Sequence, residues 1–408
     1  SYPVSMILEG IRIIDWNVHQ LGPVSTAMLG DMGAEVIKIE QRGVGDPSRG
    51  MDRFGGVRIM LPNGHSLVYE ATNRNKKGIT VDLKKEAGRE VVYRLVKNSD
   101  VFVQNFRTGV AARMGLDYET LSKINPKLIY ASGSGFGSKG PDGCRGAYDP
   151  MGQARSGIMN AVGEPDGPPL YITGAVADQA GGVMLAFGIM AALLARERLG
   201  IGQEIQASHL GSMINLQWFN VMAATLLGCQ FPRQKRTAIT NPLANHYKCQ
   251  DGKWIFLSHT QSDRYWPGLC RVLGIEHLEN DPCFSSAKNR AMNHEELIGI
   301  LDKVFATKDL DEWEKLLVER GDFIFSRIQN VTDLPQDPQV LANDYIVDYN
   351  HPTLGPVKVI GFPVSFSKTP PSVRLPAPLF GQHTEEVLME VGGYTWEEIE
   401  GLKDKEVI

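Results

Sequence analysis

The chain of 408 residues is long enough for one large domain and a smaller one. Its 42 Lys and Arg against 47 Asp and Glu give a formal net charge of −5, which offers no electrostatic reason to expect nucleic acid as a partner, since neutralising phosphates needs a basic face. It still allows a local cationic patch for a small phosphorylated ligand. Five scattered cysteines (Cys144, Cys229, Cys249, Cys270 and Cys283) form no CxxC pair, so free thiols in a reducing cytoplasm are expected, with no disulfide framework and no metal. The longest uncharged apolar run, 180–195, is short for a membrane span and holds glycines. No charged-then-apolar leader opens the chain, and no membrane partner is expected.

In chain order, residues 11–15, 35–40, 79–83, 100–105 and 128–132 are Val/Ile-rich runs bounded by turn residues and read as strands. Segments 24–32, 85–97 and 111–124 carry apolar residues at helical spacing. This alternation predicts a parallel sheet covered on both faces. Residues 133–174 are crowded with Gly and Pro and predict a long functional loop. An apolar helix follows at 181–198. Beyond Phe231 the pattern changes to a strand at 254–258 and helices at 264–273, 295–306 and 310–319, a second and smaller α/β domain. Proline-rich connections, short strands and a charged helical tail complete the chain.

Gly135-Phe-Gly137-Ser-Lys-Gly140 has the spelling of a dinucleotide loop, but it runs into Pro141, Asp142 and Gly143 instead of opening a helix. The nicotinamide-dependent oxidoreductase reading rests on that motif alone. His246 and His259 flank the strand at 254–258 and read as packing or surface residues. Asp178, in Gly174-Ala-Val-Ala-Asp178-Gln-Ala-Gly-Gly182, stands where the apolar helix begins. It reads either as an N-cap or as a carboxylate held at the positive end of a helix and aimed into the preceding loop, with glycines permitting close approach of a substrate carbonyl. The residues alone leave both open.

An ordered set of motifs goes further. Leu8-Glu-Gly-Ile-Arg-Ile-Ile-Asp15, Gln20-Leu-Gly-Pro23, Leu29-Gly-Asp-Met-Gly-Ala-Glu-Val-Ile-Lys-Ile-Glu40, Asn75-Lys-Lys77, Asn105-Phe106, Arg113-Met-Gly115, Gly167-Pro-Pro169, Asp178, Arg196 and Gly202-Gln203 occur in sequence. Together they resemble the class III CoA-transferases, the formyl-CoA/carnitine-CoA type. The resemblance implies an α/β fold: a Rossmann-like large domain (1–205 and 346–408), a linker (206–231), a small α/β domain (232–324) and a return linker (325–345). It also implies an interlocked dimer or a heteromer with a paralogous subunit. The implied activity moves coenzyme A from an acyl-CoA to a carboxylic acid through an acyl-aspartate at Asp178, with Gln20 and backbone amides as oxyanion donors. CoA enters as substrate, with no permanently bound cofactor.

Positions matching the family's CoA contacts are His19, Arg42, Lys77, Asn105, Phe106, Arg113, Met114, Tyr148 and Asp149. Two departures stand out. Gln41, followed by Arg42, replaces an arginine of the formyl-CoA enzyme, and Met51 replaces its tryptophan over the acyl group, which implies room for a larger acyl chain. The related α-methylacyl-CoA racemases carry Gly-His-Asp where this chain reads Gly146-Ala-Tyr148-Asp149, and tyrosine is a poor two-way proton carrier near neutral pH. A non-catalytic subunit of a heteromer is the other alternative, because Gln206-Ala-Ser-His209 stands where the family usually shows an acidic residue. Segments 241–249, 251–254 and 264–267 are similar to transferases of anaerobic aromatic and dicarboxylate degradation, which implies succinyl-CoA and a benzylsuccinate-like acid as substrates. Trp218, Phe219 and Trp266 are candidates for an acyl pocket, although core packing is the commoner use of each.

Overall fold

The computed structural model describes residues 5–408. Contacts divide them into two units: one runs to Met159 and adds Leu170–Gln230 and Leu341–Ile408, the other joins Asn160–Pro169 to Phe231–Val340. The first unit is built on six parallel strands, β1 (Arg12–Trp16), β2 (Glu35–Gln41), β3 (Lys76–Val81), β4 (Val101–Gln104), β5 (Ile129–Ser134) and β6 (Gln203–Ser208). Their spatial order is β3-β2-β1-β4-β5-β6, so the sheet grows in opposite directions on either side of β1. That is the doubly wound order, in which the crevice between β1 and β4 is the place for a ligand.

The strands alternate their faces with period two. Ile13, Val36, Val101, Val103, Ile129 and Ala131 pack under helices α1 (Leu21–Asp31) and α4 (Val176–Leu199). Ile14, Ile37, Ile39, Phe102 and Tyr130 face α2 (Glu86–Lys97) together with Val387, Leu388 and Ile399 of the C-terminal helices. Between α2 and α4 in the chain lies α3 (Asp149–Ser156), inside the stretch expected to be loop. The helix expected over 111–124 is broken at Gly115, whose φ of +69° suits glycine; its place is taken by Val110–Arg113 and Tyr118–Ile124. Residues 206–231, expected as a linker, hold the end of β6 and two helices, α5 (His209–Leu216) and α6 (Trp218–Leu226).

Helix α4 starts five residues earlier than its apolar pattern suggested. Gly174 and Ala175 both take left-handed φ, and the helix runs from Val176 to a left-handed Gly200. It is long and apolar enough to cross a membrane, yet Leu185, Ala186, Ile189, Ala192 and Leu193 lie in the core against the sheet. Gly181 and Gly182 let it approach α1 closely. A Cβ on Gly181 would come 2.4 Å from Leu21 Cδ1, and one on Gly182 would come 2.8 Å from Val24 Cβ.

The second unit holds an antiparallel sheet of His246–Lys248, Trp254–Leu257 and Phe325–Ile328, covered by Ser262–Leu273, His294–Phe305 and Leu310–Glu319. Trp266 is buried in its core and donates its indole N–H to Glu279 O at 3.1 Å. His259 is buried too; its Nε2 accepts the Ile324 N–H and its Nδ1 faces Leu243 O. His246 stacks on Phe256.

Four charged side chains, all fully buried, lie beneath the turn that follows β1. Lys76 pairs with Asp15 at 2.9 Å and Lys38 with Asp46 at 2.9 Å. Asp15 also accepts from Thr26 Oγ1 and from the backbone and side-chain amides of Asn17. Lys38 donates to Asn17 O, while Asp46 Oδ1 accepts the His19 and Ser48 N–H groups. Burial alone would raise both carboxyls, but Lys76 and Lys38 hold Asp15 below the usual range, and Lys38 with the Ser48 amide does the same for Asp46. The lysines diverge. Burial wins at Lys76, pushed down to about 8, whereas Asp46, Asp15 and Glu40 overcome burial at Lys38 and raise it.

Two outcomes are expected. Gly182→Ala gains roughly 1 kcal/mol of helix propensity but forces apart two packed helices, at a cost of about 1–3 kcal/mol. A net loss is expected, read as a lower midpoint in denaturant. Asp46→Asn leaves Lys38 short of its nearest counter-charge and loses roughly 3–5 kcal/mol at pH 7. The Asp15 and Asp46 carboxyls are lowered in the folded state, so their stabilisation is fully present above their unfolded pKa near 3.8 and is lost below it, as pH falls through the lower folded pKa. Acid titration of stability by circular dichroism should therefore show a shallower acid limb in Asp46→Asn than in the natural protein.

Candidate active site

The carboxyl ends of β1, β4 and β5 supply the floor of the site. After β1 the chain turns through Asn17-Val18-His19-Gln20, with His19 in the left-handed region at φ +63°. The buried Asp46 fixes that turn through the His19 N–H. Asn105, just after β4, completes it: its amide oxygen accepts the Val18 N–H at 2.9 Å and its NH2 donates to Val18 O at 2.7 Å. The side chain thereby substitutes for backbone pairing between two diverging loops. Phe106 lies against Trp16 with ring centres 4.3 Å apart. Gly133 at the end of β5 allows Leu21 to pass, since a Cβ there would sit 2.4 Å from Leu21 Cδ2.

Asp178 is not the N-cap. It is the third residue of α4, and its backbone N–H is accepted by Asp149 Oδ1 at 2.9 Å. The capping carboxylate thus comes from α3, 29 residues away in sequence. Asp149 is buried, and its second oxygen accepts from Gln153 Nε2 at 2.8 Å, so both oxygens are engaged within the protein. With its amide satisfied from outside, Asp178 is free to turn its own carboxylate away from the helix end. One oxygen, Oδ1, meets His209 Nε2 at 2.6 Å. The other, Oδ2, has no hydrogen-bond partner among the described residues. Next to it, Gln179 Nε2 donates to Gln20 Oε1 at 2.9 Å, which leaves the Gln20 NH2 as a donor.

Gln20, Asn105, Phe106, Asp149, Asp178 and His209 line a cavity of about 500 Å³. Of the expected site residues it gathers His19, Gln20, Met51, Asn105, Phe106, Tyr148, Asp149 and Asp178. Tyr148 is exposed at its mouth, edge-on to the His19 ring at 5.8 Å. Four others are not brought there. Arg42 donates to the carbonyl of Ile408, Lys77 is shared by Glu35 and Glu386, Arg113 is exposed on its short helix, and Met114 packs on the core. The Gly135–Gly140 stretch opens no helix; instead Gly135 faces Ala147, where a Cβ would collide at 2.2 Å.

Sequence reasoning did not single out His209 as a partner of Asp178, nor Gln179, Arg107 or Arg145. Arg107 lines the cavity with its guanidinium against the backbone of Gly146, where a Cβ would lie 2.0 Å from Nη2. Arg145, also in the lining, pairs with Asp142. A signal for His209 was present, because Gln206-Ala-Ser-His209 had already stood out as atypical, but no spacing rule joins residues 178 and 209.

Comparison with known proteins places this geometry. The model of CoA-transferase family III matches residues 8–384. An acyl-CoA transferase of Fusarium pseudograminearum is 36% identical over 94% of this chain and 85% of its own length. The succinyl-CoA:glutarate CoA-transferase of Mus musculus is 35% identical, covering 97% of this chain and 88% of that protein. Among solved structures, a CAIB/BAIF family protein from Brucella suis superposes with a TM-score of 0.82 at 30% identity, over 95% of this chain and all of that one. With the doubly wound sheet and the carboxylate-bearing cavity at its switch point, the chain belongs to CoA-transferase family III, the class III CoA-transferases.

Proposed function

We propose that the chain moves coenzyme A from succinyl-CoA to a substituted dicarboxylic acid of benzylsuccinate type, with Asp178 as the covalent nucleophile. The observation that carries this reading is the Asp178 carboxylate, on the cavity wall with one oxygen held by His209 and the other unpartnered. Oδ2 attacks the thioester carbonyl; the C–S bond breaks, CoA leaves as thiolate and a mixed anhydride remains. The thiolate then attacks Cγ of Asp178, releasing the donor acid and leaving an aspartyl-CoA thioester. The acceptor carboxylate attacks that thioester, and the returning thiolate takes the acceptor's acyl group and regenerates Asp178. No net proton is exchanged, and each step trades one activated acyl group for another of similar energy.

Gln20 is the side-chain donor for the first oxyanion, through the NH2 left open by Gln179. His19, Asn105, Phe106 and Tyr148 would hold the pantetheine end of CoA within the cavity. Arg42, Lys77 and Arg113 are the proposed outer contacts for its phosphates. Met51, in place of an aromatic, widens the acyl end. Arg107, with no carboxylate partner among the described residues, suits an acid that carries a second carboxylate. The relative named for succinyl-CoA and glutarate supports a dicarboxylic acceptor. The racemase reading is weakened because its two proton carriers must flank one carbon, whereas His209 and Asp178 touch each other. The retained cavity and carboxylate weigh against a non-catalytic subunit.

The large unit exposes Phe187, Leu194, Trp218, Met222, Leu226 and Leu227, at 42–74%. So much apolar surface on α4, α6 and the residue after it suits coverage by a second copy in an interlocked dimer.

Incubation with a panel of acyl-CoAs followed by hydroxylamine should leave a donor-dependent hydroxamate on Asp178, mapped by peptide mass. Asp178→Asn should lose roughly 10³-fold or more in kcat. An unlabelled Asp178 with every donor would sink the covalent reading. Sedimentation equilibrium should return twice the chain mass of 45.0 kDa; a monomer would refute the interlocked assembly.

A further inference from the structure

We infer that His209 is a catalytic residue, the hydrogen-bond donor to the oxyanion that forms on Asp178 itself when CoA thiolate attacks its acylated carboxyl. The inference rests on the acyl-aspartate reading above and concerns a different step from the one Gln20 serves.

The geometry is specific. His209 is 6% exposed and opens α5 directly after β6, where the Ser208 side chain accepts the Gly211 N–H and fixes the start of the helix. Its Cβ rests on Gly152 of α3, where any side chain would lie 2.6 Å away. That contact seats the start of α5 against α3, beside the first turn of α4. Nε2 lies 2.6 Å from Oδ1, and an ionised carboxylate only accepts, so Nε2 carries the proton. Nδ1 is buried with no hydrogen-bond partner among the described residues. A proton there would be a buried donor with nothing to accept it, so the neutral Nε2–H tautomer fits the surroundings.

This arrangement assigns different roles to the two oxygens of Asp178. Oδ1, held by His209, is poorly placed to attack, whereas Oδ2 has no hydrogen-bond partner among the described residues, on a side chain that lines the cavity. When Oδ2 forms the new C–O bond of the anhydride, Oδ1 becomes the carbonyl oxygen. Thiolate attack on Cγ then turns Oδ1 into an oxyanion, and the S–C bond forms while the Cγ–Oδ2 bond breaks and the donor acid departs with Oδ2. His209 Nε2–H already points at the atom on which that charge develops, so no reorganisation is needed at the moment of reaction. The same donor serves the reverse passage, when the acceptor acid attacks the aspartyl thioester. The proton stays on His209 throughout; the residue donates a hydrogen bond and transfers nothing.

The test compares His209→Gln, whose amide NH2 can reach the Nε2 position, with His209→Leu, which fills the volume without a donor. In steady-state transfer from succinyl-CoA, His209→Leu should lose roughly 10²–10³-fold in kcat, with KM for the acyl-CoA changed less than about threefold. His209→Gln should recover to within about tenfold of the natural enzyme and keep its pH profile, because both donors are neutral. In single-turnover mixing with succinyl-CoA, the mass of aspartyl-CoA thioester on Asp178 should appear correspondingly slowly in His209→Leu. Natural kcat in His209→Leu would overturn the inference. So would equal failure of both variants at an unchanged melting midpoint, which would indicate proton transfer by the imidazole. A His209→Leu protein that fails to fold leaves His209→Gln to decide: a loss beyond tenfold, or a flattened pH profile, refutes the donor role. If Asp178 of the natural enzyme takes no label from any donor, the acyl-aspartate reading itself fails, separately from these outcomes.

Discussion

The buried charge cluster of Asp15, Lys76, Lys38 and Asp46 is the constraint on which the site depends. Taking four charges out of water costs several kcal/mol each unless every one is met by opposite charge and hydrogen bonds. Here the cost is met by the pairs themselves and by the backbone of the turn after β1, through Asn17 O and the His19 and Ser48 amides. The turn that presents His19 and Gln20 is therefore part of the electrostatic solution and not a loop laid over it. An apolar cluster of the same volume would pack well but would not specify where the amides point.

From that anchored turn the remaining pieces follow by contact. Asn105 ties the β1 and β4 loops together, Gly181 and Gly182 seat α4 on α1, and Gln179 reaches back to Gln20. Asp149 caps α4 from α3 and so releases the Asp178 side chain from the duty of capping its own helix. The first turn of α4 retains the partial positive charge of a helix start, which favours a carboxylate there. His209, arriving from β6, then fixes one of its two oxygens. A doubly wound sheet brings all these chain segments to the carboxyl ends of its strands because every strand is parallel and every connection returns to the same edge.

Much of this was legible in the residues. Five of the six large-sheet strands were visible as Val/Ile runs because a sheet covered on both faces needs apolar side chains on both. The sixth, Gln203–Ser208, alternates exposed and half-buried residues at the sheet's edge and lacks that signature. Asp178 was visible both as a residue type at a helix start and through its family resemblance. Its place within the helix was not, because the left-handed Ala175 starts α4 where no capping residue signals it. The short α3 was hidden among Gly and Pro, and with it the cap supplied by Asp149.

The sequence by itself determined the α/β class, the family and the identity of the central carboxylate, because periodicity and ordered motifs are properties of neighbouring residues. Only the tertiary structure decided which side chains meet that carboxylate. Residues 149, 178 and 209 are far apart in the chain, and no local pattern encodes their distances. They converge because α3, α4 and β6 pack around one crevice, and because glycines at 152, 181 and 182 remove the side chains that would hold those elements apart.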